Sequence, residues 1–113
     1  MIIEDLARQY LSSFENRDLG GISKLMSDEV ILRDWEVIAE GKESVLATNK
    51  KIFESFREIE LSILNIISSS TNVLVEFSLN LISESGLESL LVADVIEFGN
   101  DGLISEVRAY RGN

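Results

Sequence analysis

Leu90-Leu91-Val92-Ala93-Asp94-Val95-Ile96-Glu97-Phe98 is the stretch on which the reading of this chain turns. Side chains alternate across a strand, so Leu90, Val92, Asp94, Ile96 and Phe98 share one face of a sheet. One carboxyl interrupts four apolar side chains there. A buried ionised carboxylate is costly, so this group must find strong donors or stay protonated with a raised pKa. A protonated acid donates a hydrogen bond, which makes Asp94 a candidate site residue. Tyr10 and Asp34 are polar side chains with the same oddity of placement.

Working outward, residues 58–67, 73–83, 88–98 and 103–111 are β-rich and are separated by the turn-like segments Ser68–Asn72, Glu84–Gly86 and Gly99–Gly102. Short connections between successive strands predict an antiparallel meander. Upstream, Ile3, Leu6, Ala7, Tyr10, Leu11 and Phe14 recur at helical spacing, which predicts an amphipathic helix over 3–15 with Tyr10 inside its apolar stripe. Asp18 is placed to cap a shorter helix carrying Leu19, Ile22, Leu25 and Met26, against the weak propensity of Gly20 and Gly21. Val30–Ile38 reads as one strand, in which Asp34 shares a face with Val30 and Leu32 against Ile31, Arg33, Trp35 and Val37 on the other, and the phases alone leave either face as the inner one. Gly41 marks a turn before a third helix over 43–56, whose stripe is Val45, Leu46, Ile52, Phe53 and Phe56. Helices first and then a sheet of four or five strands is an α+β layout. Several strands are apolar on both faces, as at Ile63-Leu64 and Leu91-Val92, so one face is expected to pack on the helices and the other on a second subunit of a homodimer.

Composition narrows the chemistry. The 113 residues, 45% of them apolar, suit a single domain over 1–113 with one modest core. A net charge of -10 argues against nucleic acid or an anionic membrane as partner. There is neither cysteine nor histidine, so thiolate nucleophiles, Ser-His pairs and His- or Cys-ligated metals are excluded. The adjacent acids Asp28 and Glu29 read as a solvated turn, and no metal is expected. No apolar run approaches the ~20 residues that cross a bilayer, and the expected location is cytoplasmic.

The positions of Tyr10, Asp18-Leu19, Ser27-Asp28-Glu29-Val30, Asp34, and Asp94-Val95-Ile96-Glu97-Phe98 through Arg108-Ala109-Tyr110 together resemble the ketosteroid isomerase branch of the SnoaL-like, NTF2-like superfamily. The resemblance spans nearly the whole chain. It implies an NTF2-like cone, three N-terminal helices packed on a curved antiparallel sheet around a deep apolar pocket, in a fold that is often homodimeric. It also implies roles. Tyr10 and a neutral Asp94 would donate hydrogen bonds to a substrate enolate, and Asp34 would shuttle the proton. The neutral acid in an apolar site is a known property of that isomerase and is carried over here, not read from spacing.

The residues by themselves leave plainer alternatives open. Tyr10 is equally a core tyrosine with a satisfied hydroxyl, Asp34 a solvent-facing residue or a partner of Arg33, and Asp94 a structural acid satisfied by a backbone N–H or by Arg108. The chain also departs from the isomerase pattern. Trp35 stands where proline is common, the segment from Asp34 to Gly41 is shorter, a supporting tyrosine of the third helix is replaced near Asn49, and Arg111 falls at an apolar pocket position. These departures point away from a flat steroid. Scytalone dehydratase-like and SnoaL cyclase-like chemistry leans on histidine, and limonene epoxide hydrolase-like chemistry needs an arginine where this chain has Val92.

The expected function is a cofactor-free isomerase or lyase that moves a proton next to a carbonyl on a small apolar ligand. The alternative is a non-catalytic dimeric pocket protein that binds a small hydrophobic metabolite. Trp35, Phe53, Phe77 and Val107 are the expected pocket lining in either case. A catalytic pair should hold Asp34 ionised and Asp94 neutral at pH 7, whereas a binder needs no such separation.

Overall fold

Residues 3–15 form the amphipathic helix that their spacing predicts, α1 (Ile3–Glu15), in a computed structural model that describes residues 2–112. Its inner face buries Ala7, Tyr10 and Leu11, while Glu4 and Asp5 occupy the first turn, where the helix dipole favours acids. Asp18 caps α2 (Leu19–Leu25), its Oδ1 accepting the Gly21 N–H at 2.9 Å. That cap explains Gly21, because a Cβ there would meet Asp18 Oδ2 at 2.6 Å and Ser13 Oγ at 2.7 Å. The weak helix former is the residue that lets the cap close over the end of α1.

The next stretch corrects the sequence reading. Residues 30–38 do not make one strand; β1 (Met26–Arg33) starts earlier, and after a turn at 34–37 the chain doubles back as β2 (Ile38–Glu40), paired antiparallel to β1. The Asp34 carboxylate drives the break by accepting the backbone N–H groups of Glu36 and Val37, which a continuing strand would offer to a neighbour. Gly41, with φ at +92°, supplies the left-handed residue before α3 (Lys42–Ser55).

Four long strands follow: β3 (Glu58–Ser68), β4 (Asn72–Ser83), β5 (Gly86–Phe98) and β6 (Ile104–Arg111). They pair antiparallel in succession, as their short connections predict. The sheet does not stop there. Its order is β2-β1-β6-β5-β4-β3, and β1 runs parallel to β6, so the six-stranded sheet is mixed where an antiparallel one of four or five strands was expected. A parallel join needs a long crossover, and here everything from β2 to β5 serves as that crossover. Local turn chemistry therefore could not announce it.

Register shifts in β3 between Ile63 and Asn65, and in β1 between Met26 and Ile31, bend the sheet, since an extra residue in one strand increases its local twist. The helices lie on the concave side, α1 against β3 and β4 and α3 against β1 and β2. The buried face alternates on both central strands, Val73, Val75, Phe77, Leu79 and Leu81 on β4 and, as the sequence predicts, Leu90, Val92, Asp94, Ile96 and Phe98 on β5. The architecture is three helices on a curved sheet, an NTF2-like α+β fold. Among the described residues no helix is long and apolar enough to cross a membrane.

Candidate functional site

Helices α1 and α3 do not close completely onto the sheet, and the gap is a cavity of about 290 Å³ bordered by Tyr10, Asp34, Asn49, Phe77, Asp94 and Val107, among others. It contains polar groups of two kinds.

Deep in the fold stands Asp94, 6% exposed in the middle of β5. Its cross-strand neighbours are Val75 on β4 and Ala109 on β6, and Val92 and Ile96 flank it on its own strand face. Burial among these groups pushes the carboxyl up from 3.8 to about 7, with the negative charge of Asp34 as the second cause. Tyr10 reaches the same cavity from α1 and is 4% exposed. Burial, and then the charge of Asp94, raises its hydroxyl far above the ordinary tyrosine value. No hydrogen bond to another described residue engages the Tyr10 hydroxyl or the Asp94 carboxyl, and their oxygens are not sealed from the cavity. The arginines that offered a plainer explanation are engaged elsewhere. Arg108 holds Glu97 at 2.7 Å and Glu106 at 3.5 Å, and Arg33 holds Glu106 at 3.8 Å.

Asp34 is placed differently. It is half-buried, directly after β1, and borders the cavity beside Trp35 and Glu36. Its Oδ1 accepts from Glu36 N–H at 2.7 Å and Val37 N–H at 2.8 Å, and its own N–H donates to the Val37 carbonyl at 2.9 Å. This Asx turn fixes the direction of the carboxylate and leaves Oδ2 without a bond to the protein among the described residues. A fixed carboxylate at the rim and an acid in an apolar interior are suited to opposite halves of one proton transfer.

Of the expected lining, Trp35 borders the cavity at 42% exposure, and Phe77 and Val107 border it fully buried. Phe53 does not border it. Successive residues turn by about 100° around a helix, which sets Phe53 roughly 40° past Asn49 on the edge of the stripe away from Ile52 and Phe56. There its ring packs edge-on against Phe14 of α1, with centroids 5.3 Å apart, and the pair joins the two helices.

Three further groups border the cavity that the sequence reading did not name as site residues: it met Asn49 and Arg111 only as departures from the isomerase pattern, and Glu88 not at all. Glu88 and Arg111 border the cavity and are exposed, and the alternation that found Asp94 reaches them: Glu88 is in phase with Leu90 and Asp94, and Arg111 with Val107 and Ala109. Asn49, in the middle of α3, is 2% exposed and borders the cavity, and its Nδ2 is buried with no hydrogen-bond partner. Leaving such a group unpaired costs about 1–3 kcal/mol. The signal was its place one turn after Val45 and just before Ile52, a polar residue in an apolar stripe like Tyr10. Among the described residues no group of three or more acidic side chains is placed to hold a metal ion.

Comparison with known proteins bears on the family and the fold. The profile of the SnoaL-like domain matches residues 7–107. Bal32a from a soil-derived mobile gene cassette superimposes with a TM-score of 0.89 at 14% identity, covering 98% of this chain and 89% of that one. A LEH-like epoxide hydrolase of M. tuberculosis gives 0.85 at 19% identity, covering 96% and 81%. A protein from Catenulispora acidiphila with a ketosteroid isomerase-like fold, solved with trimethylamine, gives 0.83 at 9% identity, covering 93% and 83%. At these identities the likeness concerns the fold. No curated protein matches the chain.

Proposed function

The chain belongs to the SnoaL-like domain family, and from that premise we propose that it is an isomerase or lyase that moves a proton next to a carbonyl on a small, largely apolar compound. The observation that carries this reading is the contrast between a buried acid whose pKa is raised to about 7 and a second carboxylate fixed at the rim of the same cavity. Asp34 takes a proton from the carbon beside the carbonyl through Oδ2 and becomes a carboxylic acid. The electron pair of that C–H bond moves onto the carbonyl oxygen, where Tyr10 and protonated Asp94 donate hydrogen bonds to the enolate. Asp34, half-buried at the rim, exchanges this proton with solvent in a share of turnovers and returns a proton to the same or another carbon, and no net proton is gained or lost.

The magnitudes suffice for such chemistry. A positioned base contributes ~10²- to 10⁴-fold and one oxyanion donor ~10²- to 10³-fold. The three side chains supply the proton relay and the charge stabilisation, so the proposed step calls for no cofactor. Exposed Leu64, Leu91 and Tyr110 around a groove on the outer sheet face support a homodimer, to be checked by sedimentation of wild type and Leu91→Arg.

The test is solvent proton exchange. The protein is incubated with 2-tetralone and other enolisable ketones in deuterated water, and loss of the α-proton signals is followed by NMR. Wild type is expected to accelerate exchange and Asp34→Asn to abolish the acceleration. Exchange at the same rate in that variant contradicts the reading.

A further inference from the structure

Asn49 is not used by the reaction just described, yet among the described residues it is the one other polar side chain buried in the wall of the same cavity. It is 2% exposed, it borders the cavity from α3, and no protein group among the described residues hydrogen-bonds its amide. The helix does not need an asparagine there, because Asn is a weaker helix former than Leu or Met and fills the place that either would fill in an ordinary apolar stripe. Buried amides are paired in nearly all folded proteins, and an exception calls for an explanation. Nδ2 is sealed inside the protein, but Oδ1 is not sealed and takes no hydrogen bond from a described residue, so the amide meets the cavity through that position, where a ligand can bond to it. An amide has both an N–H donor and a carbonyl acceptor, and turning it over exchanges the two, so with no protein bond to hold it Asn49 accepts either end of a hydroxyl.

We propose that Asn49 is a specificity-determining residue that binds a second oxygen of the ligand, so that the cavity takes hydroxylated or otherwise doubly oxygenated ketones in preference to simple ones. The proposal rests on the reading in which Tyr10 and Asp94 take the carbonyl. Those two stand on α1, which packs on β3 and β4, and on β5, whereas Asn49 stands on α3, which packs on β1 and β2 across β6 in the sheet order. A molecule touching both needs an oxygen on each of two sides of an apolar body. Phe77, Leu79, Leu90 and Val92 make an apolar part of the cavity lining that suits a ring system, and a cavity of about 290 Å³ suits a small one. A simple ketone would fill the same space and leave the Asn49 amide unpaired, and a site built to hydrogen-bond a hydroxyl rejects the analogue that lacks it.

The experiment compares binding, not turnover. Dissociation constants of 2-tetralone and of its analogues with the hydroxyl walked around the aromatic ring are measured by NMR titration for wild type, Asn49→Leu and Asn49→Ser. At least one hydroxylated probe is expected to bind wild type on the order of 10-fold tighter than 2-tetralone, the size of one well-made hydrogen bond. Asn49→Leu should erase that preference, hold 2-tetralone at least as well, and melt no lower than wild type. Asn49→Ser should keep part of the preference. If wild type shows no preference, or Asn49→Leu retains it, Asn49 is a structural residue and the proposal fails while the isomerase reading stands. If wild type binds neither kind of probe, both fail. If selectivity follows Asn49 but no ketone exchanges its α-proton, the isomerase reading alone fails.

Discussion

Asp94 and Asp34 are the same side chain on one cavity wall, and the fold treats them in opposite ways. Asp94 sits in the central strands with Val92 and Ile96 beside it, Val75 and Ala109 across from it and no hydrogen bond from a described residue, and its carboxyl is pushed up to about 7. Asp34 lies past the end of β1, half in solvent, with two backbone N–H groups on one oxygen. The interior position works against the charge and is maintained by the sheet. The rim position works through the charge and also builds the turn that starts β2. One carboxyl is arranged to hold a proton and the other to take one, and the difference comes from place and not from residue type.

The comparison breaks first at the rim. Asp34→Asn keeps the Oδ1 acceptor of the turn but removes the base, so activity should fall ~10²- to 10⁴-fold with the melting temperature nearly unchanged. Stability against pH is the next largest effect. Asp94 has a folded-state value near 7 against an ordinary 3.8. Between those values the folded state holds a proton that the unfolded state has released. The contribution of Asp94 is thus fully present below ~3.8, falls as pH rises, and is lost above about 7, a total of roughly 4 kcal/mol. Urea unfolding at pH 5 and pH 8 should show Asp94→Leu losing less stability than wild type over that interval.

Removing one donor is the third test. Tyr10→Phe and Asp94→Leu should each lower turnover of an exchanging ketone ~10²- to 10³-fold, and Asp94→Leu should do so while being the more stable protein at pH 8. A variant both more stable and less active is the signature of a group kept for function. The smallest effect separates the two duties of Asp34. Asp34→Ala should match Asp34→Asn in activity but cost a further ~1 kcal/mol in denaturant unfolding, because the N–H groups of Glu36 and Val37 lose their acceptor.

The inner end was more legible in the sequence than the rim, for a physical reason. Period-two alternation places Asp94 among Leu90, Val92, Ile96 and Phe98, helical spacing places Tyr10 in the stripe of α1, and both are buried as those patterns require. Regular elements carry their side-chain directions in their spacing. The rim is a turn, and a carboxylate that ends a strand by capping its own backbone looks, in one dimension, like one more residue of that strand. The parallel join of β1 to β6 was hidden because it links segments far apart in the chain. Phe53 shows the limit of stripe reading, since a residue on the edge of an apolar stripe faces a neighbouring helix as readily as a cavity. Asn49 was visible as a polar break in that stripe, but only the packed structure leaves its amide without a partner.

The most direct measurement is a carbon-detected NMR titration of the Asp94 carboxyl in wild type and in Asp34→Asn. The account predicts a midpoint near 7 in wild type, with burial as its main cause, and a lower midpoint in the variant because the second cause, the charge of Asp34, is gone. A midpoint near the ordinary ~4 in wild type would contradict it, because the interior would then hold an ionised acid and no proton to donate.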